Sequence, residues 1–252
     1  MLRLMLAAIC CQKGDWPGNL AEHERVLALA QDRDCDVAIF PEMSLSGPAD
    51  PGRRPEWLLR LDSAPVAAMA ELTGRYPVAA VFGVAEREER AAHITQVYAH
   101  GGRVAGFYRK RHLGEDERGY TPGTESALFQ FGGIGFGITI CAEGGVDFPF
   151  DEPAAAGAEV IFFCAAPGLY GRRTDEKSWR AGYAWWESCG LADARRHAVR
   201  TGTWVALATQ AGTTVDEDFP GLAALVAPDG EVMARLPDWR AGTLVVELPL
   251  GP

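Results

Sequence analysis

Short, nearly uninterrupted apolar runs alternate along this chain with stretches in which apolar residues recur every three or four positions. That alternation predicts strands buried on both faces and joined by helices. "RLMLAAICC" is the first such run, after which Asn19 is expected to cap a helix through "LAEHERVLALAQDRD". "DVAIF" follows as a second buried strand and ends at Pro41, ahead of "EMSLSGPADPGRRP", whose Gly and Pro content predicts a long loop. "PVAAMAELTGRY" reads as a helix and "PVAAVFGVAE" as the next strand. Three hairpins are expected: at Gly101-Gly102 between "HITQVYAH" and "RVAGFY", at Gly132-Gly133 between "ALFQF" and "IGFGITIC", and at Asp229-Gly230 between "LAALVAP" and "EVMARL". "EPAAAGAE" predicts a short helix, "VIFFCAAP" a strand, residues 176–201 the longest helix, and "TWVALATQ" the strand after it. With no linker or low-complexity segment, one mixed α/β domain over residues 1–252, built on two packed sheets, is the simplest reading.

Charge narrows the function. The chain has 24 basic and 34 acidic residues, a formal charge of -10, which argues against nucleic acid or an anionic membrane surface as the main partner. The six cysteines (10, 11, 35, 141, 164 and 189) contain no CxxC pair and no Cys/His cluster at zinc spacing, so neither a metal nor a disulfide framework is expected. The N-terminal apolar run is too short to span a bilayer and reads as a first strand, so a cytoplasmic protein with reduced thiols is expected.

Three strands end beside a polar, reactive residue: Glu42 after "DVAIFP", Lys110 after "RVAGFYR" and Cys141 after "FGITI". Taken singly, each has an ordinary structural reading. A glutamate after a strand is commonly a solvated acid or cap, the basic run Arg109 to His112 a solvated hairpin end or phosphate patch, and a free cysteine an inert core residue. Cys141 stands apart because Glu143, Gly144 and Gly145 follow it, so the chain must turn there with amide groups free to meet a bound oxygen. A histidine is the usual base for a thiol. Of His23, His93, His100, His112 and His197, only His112 lies near another candidate, so a carboxylate base is the better expectation.

Together the three elements resemble the nitrilase superfamily of carbon-nitrogen hydrolases, whose pattern is Glu, Lys and Cys in that order. "GDWPGNLAEHERVLALAQDRDCDVAIFPEMSLSG" matches the family's opening, "YRKRHL" with "YTPG" its lysine motif, and "ITICAEGGVDFPF" its nucleophile motif. "ARRHAVRTGTWVALATQAG" is similar to the later helix and strand that support the nucleophile. The resemblance implies a four-layer α-β-β-α sandwich and an amidase-like activity. It implies Glu42 as general base, Lys110 as oxyanion stabiliser, Cys141 as nucleophile and, from "EDERGYTPG", Glu117 rather than Glu115 as a second glutamate.

Further implications are a small-molecule amide, ω-amide or N-carbamoyl substrate, no cofactor, and a homodimer or larger homo-oligomer. Nitrile hydrolysis, acyl transfer by the same residues, and a non-catalytic binding protein on the same fold are the alternatives. Two departures stand out. Where relatives carry an aromatic residue and an Asp after the cysteine, this chain has Ala142 and Glu143, with two extra residues before Phe148-Pro149. Ala142 and Glu143 are therefore expected to contact substrate. The chain also stops soon after "GTLVVELPL", so no swapped C-terminal tail is expected, while "SWRAGYAWWESCG" suits an interface, a pocket wall or plain helix packing.

Overall fold

A computed structural model, which describes residues 1–126 and 128–250, arranges the apolar runs in two six-stranded sheets. The first half supplies β1 (Leu2–Ala8), α1 (Trp16–Asp32), β2 (Val37–Ile39), α2 (Ala64–Arg75), β3 (Ala79–Glu88), β4 (Ala91–His100) and β5 (Arg103–Arg109). From the second half come β6 (Leu128–Phe131), β7 (Ile134–Ile140), α3 (Phe148–Ala155), β8 (Val160–Ala165), α4 (Glu176–Trp186) and α5 (Ala192–Thr201). The chain then closes with β9 (Trp204–Thr213), β10 (Asp218–Val226), β11 (Val232–Arg235) and β12 (Gly242–Leu248). The expected start of the β6 run at Ala127 lies outside the described residues.

The sheets follow the same logic, with orders β12-β1-β2-β3-β4-β5 and β11-β10-β9-β8-β7-β6. In each, three parallel strands form the centre, β1-β2-β3 and β7-β8-β9, and antiparallel strands extend both sides. Parallel neighbours need crossovers, and the crossover helices cover the outer faces. One apolar core lies between the sheets, where Leu4, Leu6 and Ile39 share a cluster with Phe136, Ile138 and Phe162. Met5, Phe40 and Phe82 pack outward with Val26, Leu27 and Met69 of α1 and α2, while Phe163 and Leu207 pack with Tyr183, Leu191 and Ala198 on the other side. The result is the expected α-β-β-α sandwich.

Both Gly-Gly hairpins form, with Gly101, Gly102, Gly132 and Gly133 all at positive φ, the geometry that joins two twisted strands in a two-residue turn. Elsewhere the structure corrects the pattern. Asp15, not Asn19, caps α1 by accepting from the Gly18 amide at 3.1 Å. Asn19 sits one turn inside the helix and ties two loops together, accepting from the Gln12 amide and donating to the carbonyls of Gln12 and Leu45. The helix expected over 176–201 is interrupted by a π-helical turn at Glu187–Leu191 between α4 and α5. At that turn a Cβ on Gly190 would overlap the Trp186 ring, so the widened backbone and the small residue together seat the indole.

Candidate functional site

Glu42, Lys110 and Cys141 follow the carboxyl ends of β2, β5 and β7, so the topology draws all three to one edge of the sandwich. The Glu42 loop lies along β3. Leu45 donates its amide to the Gly83 carbonyl at 2.8 Å, and the Gly83 amide donates to Ser44 Oγ at 3.0 Å. A Cβ on Gly83 would overlap the backbone nitrogen of Met43, so only glycine permits this approach. Behind the loop, His23 is fully buried between Asn19 and Ser44. Its Nδ1 lies 2.7 Å from the Asn19 carbonyl, an acceptor only, so Nδ1 carries the proton and Nε2 accepts from Ser44 Oγ at 2.9 Å. Burial lowers its pKa to about 4, which keeps that neutral tautomer in place.

Lys110 Nζ is completely buried and donates to Glu42 Oε1 at 2.8 Å and to Glu117 Oε1 at 2.5 Å. Burial alone would lower its pKa, but the charges of Glu42, Cys141 and Glu117 outweigh that and raise it, so the ammonium stays charged. The second oxygen of Glu42 accepts from the Ala166 amide at 2.9 Å, and that of Glu117 from the Gly114 amide at 2.6 Å. Burial pushes the Glu42 carboxyl above the usual carboxylate range, and Lys110 opposes it.

Cys141 ends β7 with φ +44 and opens a tight 3-10 turn, Cys141–Gly145. The left-handed residue is thus the cysteine itself and not one of the glycines after it. That sharp reversal leaves the half-buried thiol at the strand end, and backbone conformations of this kind gather at reacting groups. Burial, then the charge of Glu42, push the Cys141 thiol well above its ordinary pKa, with Lys110 pulling the other way. It therefore rests protonated at neutral pH.

The family model described as "Carbon-nitrogen hydrolase" matches residues 6–251. The chain belongs to that family. Solved structures of the nitrilase-superfamily amidase from Nesterenkonia AN1 share its fold, with a TM-score of 0.81 at 21% identity over 98% of this chain and 90% of that one. One of them is described as showing Michael addition of acrylamide at that amidase's active-site cysteine. The glutamine-dependent NAD(+) synthetase of Thermotoga maritima is 33% identical over 56% of this chain and 26% of its own length. That of Aquifex aeolicus is 26% identical over 100% of this chain and 43% of its own length. The chain therefore spans less than half the length of these curated relatives.

In this carbon-nitrogen hydrolase family member a cavity of about 630 Å³ opens above the cysteine. Its walls are residues 114–118, Cys141, Ala142 and Gly145 of the 3-10 turn, Ala166, Pro167, Gly168 and Tyr170 after β8, and Trp185, Trp186 and Asp193 from the two helices. Ala142 lines the cavity. Glu143 does not, and the expectation that it contacts substrate is corrected: it is completely buried, facing away from the cavity. Its Oε1 accepts from Tyr108 Oη at 2.6 Å and the Arg111 amide at 2.8 Å, and its Oε2 accepts from the Ile140 amide at 2.8 Å. One carboxylate thus fastens the residues flanking Lys110 to the residue preceding Cys141. Glu143 is a clamp because a buried carboxylate must find donors, and those it finds lie on β5, just beyond it, and at the end of β7.

The Trp-rich segment is divided. Trp179 packs against the outer core, while Trp185 and Trp186 face the cavity, with Trp186 Nε1 donating to Thr209 Oγ1 at 3.0 Å. Of two further supports, only the helix α5 was expected from the sequence. The Ala166 amide is backbone and leaves no side-chain signal. His197, which burial holds below its ordinary pKa, stacks on Phe150 at 3.7 Å and points Nε2 at the Gly144 carbonyl, 2.9 Å away. Arg196 donates to the same carbonyl at 2.7 Å, so α5 braces the Cys141–Gly145 turn. Among the described residues, no group of three or more His, Cys, Asp or Glu side chains is placed to hold a metal ion.

Proposed function

We propose that residues 1–252 act as one domain that hydrolyses the C–N bond of a small amide, ω-amide or N-carbamoyl compound through a thioester on Cys141. The observation that carries this reading is the buried Lys110 ammonium shared by Glu42 and Glu117 at the strand ends beside Cys141. Glu42 takes the thiol proton as sulfur attacks the carbonyl carbon, because a thiol held above its ordinary pKa is a weak nucleophile unaided. The tetrahedral oxyanion is met by the Lys110 ammonium and a backbone amide beyond Cys141. Glu42 then gives its proton to the nitrogen, the C–N bond breaks, and ammonia or an amine leaves. Water, deprotonated by Glu42, attacks the thioester, the C–S bond breaks, and the acid departs as the proton returns to Cys141. Glu117 positions Lys110 and balances its charge.

Three of the matched relatives are named as glutamine-dependent enzymes, and the side chain of glutamine is an ω-amide, so free glutamine belongs among the substrates tried. The test is ammonia release from a panel of primary amides, glutamine, carbamoyl compounds and nitriles. Turnover is expected from the amides or carbamoyl compounds and is expected to vanish in Cys141→Ala. Equal ammonia release by wild type and Cys141→Ala would remove the nucleophile from the reading.

A further inference from the structure

Away from Cys141, the cavity wall is made of aromatic faces and carboxylates. Its described lining includes no Leu, Ile, Val, Met or Phe, so the apolar surface comes from Trp185, Trp186 and Tyr170 together with small residues. Tyr170 and Trp185 are 82% and 40% exposed, so their rings are available at the mouth. The placement of Tyr170 is held by its surroundings. Its φ of +55 is one that a side chain disfavours, yet its amide is fixed by Glu217 Oε1 at 3.2 Å. A Cβ on the neighbouring Gly168 would overlap that same carboxylate.

The charged groups of the lining are Glu115, Asp116, Glu117 and Asp193 against Arg118. Lys110 pairs with Glu117 and Arg196 with Asp193, at 2.5 and 3.2 Å. Glu115, Asp116 and Arg118 form no ion pair among the described residues, so two unpaired carboxylates stand against one guanidinium, whose Nε donates to the Glu115 carbonyl at 3.0 Å. Burial, then the charge of Asp116, raise the Tyr170 hydroxyl pKa, which places that carboxylate within electrostatic reach of the ring. Aromatic faces beside unpaired carboxylates favour a cation, which gains both apolar contact and charge, over a neutral group, which gains only the first, and over an anion.

We propose that the cavity selects amides whose acyl part ends in a positive charge, a protonated amine or a guanidinium, seated on Tyr170 and Trp185 beside Asp116 and Glu115 while the scissile carbonyl lies at Cys141. This selection rests on the hydrolase reading above. The reaction is unchanged: the C–N bond is exchanged for C–O from water, and the distal cation takes no part in bond making.

Three primary amides of matched length test it: γ-aminobutyramide, valeramide and glutaramate (the monoamide of glutaric acid), being cationic, neutral and anionic. Ammonia release should give kcat/KM in that order, with the cationic amide ahead of the neutral one by about tenfold or more at low ionic strength and by less as salt is added. Asp116→Asn combined with Glu115→Gln, and separately Tyr170→Ala, should each bring the cationic-to-neutral ratio down by several-fold. Calorimetric binding of the same amides to Cys141→Ala gives the preference without turnover. Hydrolysis of all three with no cation preference overturns the selection and leaves the hydrolase reading standing. Preferential binding of the cationic amide with no hydrolysis by wild type does the reverse. Equal binding, or a preference the variants leave untouched, overturns the selection in either case.

Discussion

Lys110, itself fully buried, keeps its charge because two carboxylates lie at hydrogen-bond distance. Removing the ammonium would leave Glu42 and Glu117 buried and mutually repelling. Lys110→Ala is expected to lower kcat by about 100-fold or more, the loss typical of an oxyanion donor, and to lower stability by about 3 kcal/mol, which chemical denaturation would show. The pH profile belongs at this scale too. The proposed reaction needs Glu42 ionised, and burial holds its pKa above the ordinary carboxylate range, so the acid limb of kcat/KM should lie above that range. The charge of Glu117 contributes to that rise. In Glu117→Gln the acid limb should therefore move to lower pH, and a limb moving upward would mean that a different group titrates.

At the scale of elements, the site depends on how closely neighbouring segments approach. Gly83→Ala forces β3 against the Met43 backbone, a cost of about 1–3 kcal/mol for an overpacked core, and should shift Glu42 and lower activity together. Glu143→Ala leaves the Tyr108 hydroxyl and the Arg111 and Ile140 amides without their acceptor, for a loss of at least about 2 kcal/mol. If either variant unfolds at the wild-type denaturant midpoint, the packing described for it is wrong. The strands and hairpins were legible from sequence because burial on both faces requires unbroken apolar runs and because paired glycines fit a turn with two positive φ angles. The edge position of Glu42 and Cys141 was legible for the same reason, since each follows such a run, whereas Lys110 follows the largely exposed strand β5 and was placed by the hairpin before it. The role of Glu143 was not, because an acid two residues after the cysteine reads alike whether it faces substrate or the opposite loop. Asn19 misled similarly: it is a good capping residue, but Pro17 and Gly18 let the helix begin earlier, at Asp15. The π turn at Glu187–Leu191 depends on how one indole packs and has no periodic signature in the chain.

For the whole molecule, the buried histidine behind Glu42 links stability to pH. His23 has a folded pKa of about 4 against 6.5 for the free side chain, so between those values the unfolded chain binds a proton that the folded one does not. Its contribution is present above pH ~6.5 and is lost as pH falls toward 4, in total about 3 kcal/mol. The urea midpoint of the wild type should drop across that window, and the drop should be shallower in His23→Gln; parallel curves would assign the dependence to other groups. The two sheets close around one inner core, with β12 from the chain's end paired to β1 from its start, so this loss at His23 should appear in the global transition. No helix among the described residues is long and apolar enough to cross a membrane.

The chemistry turns on whether Cys141 carries the acyl group. Rapid acid quenching during turnover of an activated acetyl ester, followed by intact mass and peptide mapping, reads this directly in wild type and in Glu42→Gln. A thioester mechanism predicts a transient acetyl adduct on the peptide containing Cys141, longer-lived in Glu42→Gln because the base that activates water is gone. An adduct on any other residue, or turnover by wild type and by Cys141→Ala with no adduct at all, would contradict it.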